Sequence, residues 1–276
     1  MNYGFSGFQR FQSKWMRILH YILKLLLPGY KIDWQKYVQK TYILHLPDRS
    51  DRKSKLSKQL KSIKTKQGSL LDHVTWWNGF KGRKSWSKKI HEPFYSFFYH
   101  WIIDPDPKYK HIPSDVMKSQ MVQCSLAESN IALGHHSILF DFVNSKEEVA
   151  LILEDDVHFR YNIQKKIKDI FENQLPADWD IVYLSSLPGA TGFTWDPHSK
   201  DLLRLYNGVW WFSGILISKK GANKLLNNLP IVGPIDVWIN HQFEGMKVYM
   251  AEQNLIEQTG QTKSDNTYSF VHNYGY

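Results

Sequence analysis

Three consecutive acidic residues end an apolar run near the middle of the chain. The run extends from Val149 to Leu153, and Glu154, Asp155 and Asp156 follow it directly. A short apolar run is typical of a buried strand, and ligands of open α/β sheets bind just beyond the carboxyl ends of such strands. Adjacent carboxylates repel one another unless a cation or hydrogen-bond donors compensate. Because hard divalent cations prefer oxygen ligands, the pattern indicates a metal site that holds a diphosphate. The alternative is a solvated acidic turn after an edge strand.

The composition is that of a globular protein with an excess of positive charge. The chain has 276 residues, of which 42% are hydrophobic and 22% charged, and these fractions argue against disorder. The formal charge of +9 favours an anionic partner. Much of this charge lies between Arg49 and Lys66, where Leu56, Leu60 and Ile63 recur at helical spacing. The lysines are therefore predicted to form the solvated face of an amphipathic helix. No nucleic-acid-binding signature accompanies them, and no nucleic-acid partner is expected.

The amino-terminal segment, residues 1–38, is predicted to be amphipathic and basic. Its apolar part, Trp15 to Leu27, is too short to span a bilayer and is interrupted by Arg17, His20 and Lys24. Such a helix is expected either to make a peripheral membrane contact or to dock on the following domain. The single cysteine, Cys124, excludes an intramolecular disulfide, and no Asn-x-Ser/Thr sequon is present. Both features favour a cytoplasmic location, and the amino-terminal helix would account for membrane association.

The remaining residues, 39–276, are predicted to form one large α/β domain, because strand and helix patterns alternate along them. A mainly parallel central sheet is expected, and the aromatic, proline-containing stretch 80–119 is interpreted as a lid or insertion. Strands are predicted at 41–46, 73–77, 149–153, 180–184, 202–206, 210–217 and 248–251. Helices are predicted at 49–66, 121–142, 162–175 and 219–229, with Ser218 as the cap of the last and a short helix opening at Pro234.

Several segments also follow one another in an order and spacing that together are specific. They are Thr41–Arg52 (TYILHLPDRSDR), Asn78–Gly82 (NGFKG), Leu151–Val157 (LILEDDV), Trp179–Leu184 (WDIVYL), Ile217–Leu226 (ISKKGANKLL), Pro234–Asp236 (PID), and Gln258 with Ser264 and Asp265. Through these segments the chain resembles glycosyltransferase family 25, which contains bacterial lipooligosaccharide galactosyltransferases and collagen galactosyltransferases. One departure lies on the central helix, where Ala127 and Glu128 replace the family's Ser-His pair.

The resemblance implies a GT-A-like, Rossmann-like fold and an inverting, metal-dependent transferase. It would move galactose, or less readily glucose, from a UDP-sugar to a glycan or glycoconjugate acceptor, with Mn²⁺ or Mg²⁺ as the cofactor. The metal would neutralise the departing nucleoside diphosphate as a Lewis acid. Asp156 is expected to be the direct ligand with Glu154 supporting it, and Asp155 either contacts the sugar or shapes the turn.

Further donor contacts are expected around the ends of the first two strands. The candidates are Leu46, Pro47, Arg49, Arg52, Asn78 and Gly79. The first two would line the base pocket, and the two arginines would meet the diphosphate or the ribose, the alternative for them being a solvated helix start. Asn78 and Gly79 would approach the ribose, since glycine is needed where a backbone crowds a ligand.

Inverting transfer needs a base for the acceptor hydroxyl, and Asp236 is the candidate. The alternative role for Asp236 is to cap a helix, and Glu252 is then the next candidate base. Trp210 and Trp211 are interpreted as an acceptor platform or as core. His135 and His136 are expected to be packing or surface residues, whereas His241 or His272 would complete a metal site. Two other classes stay open, a non-enzymatic glycan-binding or scaffold protein of this fold and a basic membrane- or nucleic-acid-binding protein.

Overall fold

An eight-stranded mixed sheet with helices on both faces organises the chain. The computed structural model describes residues 31–80, 101–102, 121–122, 126–188, 193–229, 231 and 234–258. The predicted amino-terminal helix, most of the predicted lid, Cys124, His272 and the Ser264–Asp265 pair lie outside these residues. Within the described part, no helix is long and apolar enough to cross a membrane.

The elements follow one another as short strands and helices. The strands are β1 Lys40–His45, β2 Lys64–Thr65, β3 Gly68–Ser69, β4 Val74–Asn78, β5 Trp101–Ile102, β6 Met121–Val122, β7 Val149–Glu154, β8 Val157–Phe159, β9 Ile181–Tyr183, β10 Leu187–Pro188, β11 Thr194–Pro197, β12 Leu202–Asn207, β13 Val209–Trp210, β14 Gly214–Ser218, β15 Val248–Ala251 and β16 Ile256–Gln258. The helices are α1 Ser50–Ser62, α2 Leu126–Val143, α3 Ile163–Asp169, α4 Lys219–Asn227 and α5 Ile235–Asn240. A π-helical turn, Ile170–Gln174, continues α3.

The central sheet has the strand order β11-β12-β15-β9-β14-β7-β1-β4. Parallel pairing joins β4 to β1, β1 to β7 and β9 to β15, whereas the other four neighbouring pairs are antiparallel. Six strands therefore run in one direction, and β12 and β14 run against them. The predicted α/β domain with a large central sheet is confirmed, but the sheet is mixed. The reason is that β11 leads into β12 through a short turn without a helix, so the chain reverses there, and β14 keeps the direction of β12.

Strand β7 lies inside the sheet between β1 and β14 and is covered on both faces. Its sequence VALILE is apolar at consecutive positions, as expected for a strand without a solvated face. Leu151 pairs with Thr41 on one side and with Leu216 on the other. The acidic triplet therefore follows a central strand, and the alternative of an edge strand is wrong.

Two cores lie on opposite faces of the sheet. One packs α2, α4 and α5 against residues such as Tyr42, Ile152 and Tyr183. The other packs α1 and α3 against the strand residues of the opposite face, and it includes Ile32, Trp34 and Val38. The described end of the predicted amino-terminal segment thus packs on the domain.

Helix boundaries follow from local chemistry in two places. Leu56 and Leu60 are buried on α1 while its lysines face outward, as predicted. Ser218 is the amino-terminal cap of α4, because its side chain accepts a hydrogen bond of 3.0 Å from the backbone N–H of Gly221. The predicted strand 210–217, in contrast, is interrupted between β13 and β14.

We expect Gly221→Ala to lower the free energy of unfolding by about 1–2 kcal/mol. A Cβ at this position would lie 2.5 Å from the backbone oxygen of Asp180 and 2.9 Å from its carbonyl carbon. Overpacking costs about 1–3 kcal/mol, which exceeds the gain of up to about 1 kcal/mol in helix propensity. Urea denaturation measures the change. Gly245→Ala is the matched control, because a Cβ there meets nothing within 4 Å; equal stabilities of the two variants would contradict the packing argument.

Candidate active site

The acidic triplet lies at the carboxyl edge of the two adjacent parallel strands β1 and β7, as predicted. Glu154 is the last residue of β7, and its N–H donates to the carbonyl oxygen of Ser213 at 3.0 Å. Asp155 and Asp156 form the turn that leads into β8. Consecutive side chains alternate between the faces of a strand, so the three carboxylates do not share one environment.

Glu154 contacts the side of the sheet that carries α2. One carboxylate oxygen lies 3.3 Å from Nε2 of His135, which is fully buried on α2. The other accepts a hydrogen bond of 3.4 Å from the amide of Gln258 on β16. The side chain of Glu154 is 22% exposed, so it remains reachable from solvent while two polar groups orient it.

Asp155 contacts the opposite side, where α1 packs. Its carboxylate accepts a hydrogen bond of 2.9 Å from Arg52 and lies 3.1 Å from Nδ1 of His45. All three side chains are buried. Because both carboxylate oxygens have interior partners, this placement supports the interpretation that Asp155 shapes the turn.

Asp156 lies between these two environments. Arg52 also contacts it, at 3.4 Å. Burial raises the pKa of Asp156 to about 7, the charges of Glu154 and Asp155 add to that rise, and Arg52 and the amide of Gln258 oppose it. Burial and the neighbouring carboxylates thus disfavour the ionised form of Asp156, and a cation bound between Glu154 and Asp156 would favour it.

This donor set fits a hard divalent cation. Carboxylate oxygens are the preferred ligands, and Mg²⁺ in particular is commonly held by one or two carboxylates together with substrate phosphates and water. Across the described residues, no group of three or more His, Cys, Asp or Glu side chains forms a closed metal site. The protein would thus supply Glu154 and Asp156 and leave the other positions to the donor.

The predicted donor contacts gather around the same edge. The backbone N–H of Gly79 donates to the carbonyl of His45 at 2.7 Å, and that of Arg49 donates to the carbonyl of Leu46 at 2.9 Å. Pro47 and Asn78 are exposed beside them. A Cβ at Gly79 would lie 3.3 Å from Leu46, so the glycine also permits close packing of the two strand ends. Contact of these residues with a donor stays a prediction.

The two arginines occupy different environments. Arg49 pairs with Asp51 near the surface at 3.0 and 3.1 Å. Arg52, on the first turn of α1, is buried against Asp155 and Asp156. Its guanidinium therefore holds the acidic turn in place, and that role is additional to any contact with a diphosphate.

Asp236 lies on the same face of the sheet as Glu154. It is half-buried in the first turn of α5, and its carboxylate contributes, after burial, to a strongly raised pKa of Tyr183. The ring of Tyr183 lies 6.1 Å from that of Phe212, which lies 4.9 Å from that of His135. Packed rings thus connect the two acidic side chains along one face.

The weaker candidates lie elsewhere. Glu252 is exposed in the turn after β15, and its N–H donates to Asp201. His136 stacks on Phe140 with centroids 6.5 Å apart, and burial lowers its pKa to about 4. His241 is buried at the end of α5.

Sequence reasoning missed two histidines of this site. His45 is the last residue of β1, and the rule that ligands gather at carboxyl edges would have indicated it. His135 was expected only to pack, yet it contacts Glu154. The sequence indicates only that His135 is a polar residue on the apolar face of α2, and this pattern does not identify its contact partner. Gln258 was noted only through the resemblance, and pairing of β16 with β8 brings it to the acidic turn.

Comparison with known proteins gives a family match over the part of the chain that contains the acidic triplet and Asp236. Residues 38–239 match the family model described as glycosyltransferase family 25 (LPS biosynthesis protein). Procollagen galactosyltransferase 2 of Homo sapiens is 28% identical over 137 residues, 45% of this chain and 21% of the relative. A glycosyltransferase 25 family member of Aedes aegypti is 26% identical over 141 residues, 48% of this chain and 23% of the relative. The matched stretch spans about a fifth of the length of these relatives.

We expect Arg52→Met to lower the free energy of unfolding by about 3 kcal/mol or more. The substitution keeps the volume but leaves Asp155 buried without its cation, and breaking a buried ion pair costs about 3–5 kcal/mol. Arg49→Met is the matched control, because its partner Asp51 is 60% exposed and such pairs contribute about 1 kcal/mol or less. Chemical denaturation of both variants gives the comparison. Equal losses would show that Arg52 does not hold the turn.

Proposed function

Because the chain belongs to glycosyltransferase family 25 and is a glycosyltransferase, we propose that it transfers galactose from a UDP-sugar to a glycan or glycoconjugate hydroxyl with inversion. Glucose is the second choice of donor sugar. The observation that carries the proposal is the position of Glu154 and Asp156 at the carboxyl edge of β7, where Gln258 contacts Glu154 and Arg52 contacts Asp156.

On the donor side, Asp156 would bind Mn²⁺ or Mg²⁺ directly and Glu154 would support it. The bound cation would neutralise charge on the departing nucleoside diphosphate. Gln258 would orient Glu154 through its amide, and Arg52 would keep the turn in position through Asp155. The protein groups are thus held before the donor arrives, which is the condition for electrostatic stabilisation of a leaving group.

On the acceptor side, Asp236 would act as the base. The acceptor hydroxyl gives its proton to the Asp236 carboxylate while its oxygen forms a bond to the anomeric carbon. The bond from that carbon to the diphosphate oxygen breaks at the same time, and UDP leaves with the electron pair. The alternative that Asp236 caps the helix is disfavoured, because the cap position of α5 is Pro234 and no side-chain cap hydrogen bond is present there among the described residues.

We expect UDP release from UDP-galactose with Mn²⁺ to be lost on addition of EDTA and in Asp156→Asn. Removal of one of two anionic ligands weakens the metal site, so the thermal stabilisation of the protein by Mn²⁺ plus UDP should also be lost. A coupled UDP assay and thermal shift measure these effects. Asp178→Asn, which alters an exposed pair with Lys247, is the control and should retain both. UDP release that survives EDTA would contradict metal dependence, and no release with any UDP-sugar would favour a glycan-binding protein.

We expect Asp236→Asn to lower turnover by roughly 10²–10⁴-fold, the usual contribution of a positioned base. Affinity for UDP-galactose with Mn²⁺ should stay within about twofold of the unsubstituted protein, because Glu154 and Asp156, not Asp236, are the proposed metal ligands. Single-turnover kinetics and calorimetry separate the two quantities. Normal turnover in this variant would assign the base to another residue, and Glu252→Gln would be tested next.

A further inference from the structure

Trp211 has an unusual backbone conformation. Its φ angle is +72°, in the left-handed region that bulky side chains rarely adopt. Asn162, at +62°, is the other non-glycine residue with positive φ in the described part of the chain, and asparagine tolerates this region. A tryptophan there is strained, and such strain persists only where the surroundings impose it.

The segment before Trp211 is fixed by a single buried side chain. Asn240, on α5, accepts hydrogen bonds from the N–H groups of Gly208 and Val209 at 2.9 and 3.0 Å. Its amide donates to the carbonyls of Val209 and Asp236 at 2.7 and 2.6 Å. The Asn240 side chain therefore joins the segment before Trp211 to α5, the helix that carries the proposed base Asp236.

The segment after Trp211 is fixed to the acidic turn. The carbonyl of Ser213 accepts the N–H of Glu154 at 3.0 Å. The carbonyl of Gly214 accepts the N–H groups of Leu184 and Ser185 at 2.9 and 3.1 Å. Because both flanks are anchored, the backbone at Trp211 has to turn between them.

The indole of Trp211 is not one of the described core side chains. It is half-buried, whereas its neighbour Phe212 is buried against His135 and Tyr183. The fold thus holds an aromatic side chain partly in solvent, on the segment that joins Glu154 to the helix of Asp236.

We propose that the indole of Trp211 is the platform on which the pyranose ring of a sugar acceptor stacks. The proposal rests on the proposed function. A pyranose presents an apolar C–H face and a rim of hydroxyls, and an aromatic ring offers a flat apolar surface with no hydrogen-bond direction. An extended peptide, the acceptor class that the name procollagen galactosyltransferase indicates for the relatives, needs backbone partners that an indole does not supply.

The variant that tests this is Trp211→Gly, because glycine suits the left-handed conformation and removes the ring. We expect its melting temperature to equal or exceed that of the unsubstituted protein. Its affinity for methyl β-galactopyranoside or methyl β-glucopyranoside, measured by ligand-observed NMR with Mn²⁺ and UDP present, should fall about tenfold. Trp211→Phe should retain most of this affinity. Asn162→Gly relaxes the other left-handed residue and should leave glycoside affinity unchanged.

Cleavage of the donor is measured separately, as UDP release from UDP-galactose in the absence of a sugar acceptor. Trp211→Gly should preserve this release. If the unsubstituted protein binds the glycosides but releases no UDP, the proposed function is overturned and the assignment of Trp211 as a sugar platform is not. The platform is overturned if neither glycoside binds the unsubstituted protein, if Trp211→Gly binds them normally, or if it melts several degrees lower as a core deletion would. It is also overturned if the variant loses transfer to a hydroxyl-bearing peptide but not to the glycosides.

Discussion

The buried guanidinium of Arg52, beside two of three adjacent carboxylates, is the interaction on which the rest of the site depends. It contacts Asp155 at 2.9 Å and Asp156 at 3.4 Å, and it joins the start of α1 to the turn after β7. Two unit charges 4 Å apart interact by about 4 kcal/mol at an effective dielectric constant of 20. One fixed cation therefore stabilises the turn but does not neutralise it. In the proposed function, Glu154 and Asp156 are the carboxylates that would bind the cation.

The alternation of strand side chains divides the acidic triplet into different roles. Glu154 is directed towards α2 and meets His135, whereas Asp155 is directed towards α1 and meets Arg52 and His45. Three consecutive acids suggest three equivalent ligands, but Glu154 ends a strand whose side chains alternate between the faces, and Asp155 follows it in the turn on the other side. One carboxylate consequently holds the turn, and the other two remain at the edge of the sheet.

Local patterns were sufficient for the parts of the fold that local chemistry determines. The central strand β7 with its acidic end, the buried stripe of α1 and the cap at Ser218 are all visible in the sequence and present in the structure. The mixed sheet was not predicted, because the reversal at β12 depends on a short turn after β11 that contains no helix. The contact of His135 with Glu154 joins residues 19 apart on different elements, and no periodicity encodes it. The left-handed turn at Trp211 likewise arises from anchors distant in sequence.

The chain between β12 and β14 makes the two halves of the site depend on each other. Its carbonyl at Ser213 accepts the N–H of Glu154, and the buried Asn240 holds Val209 beside the backbone of Asp236. A shift of this segment would therefore move the end of β7 and the start of α5 together. Since each hydrogen-bonding group of the Asn240 side chain has a backbone partner, any such shift would leave buried polar groups unpaired, at a cost of about 1–3 kcal/mol each. The geometry between the acidic turn and Asp236 is thus set by the backbone hydrogen bond of Glu154 to Ser213 and by the hydrogen bonds of the Asn240 side chain, and not by the other side chains of the segment.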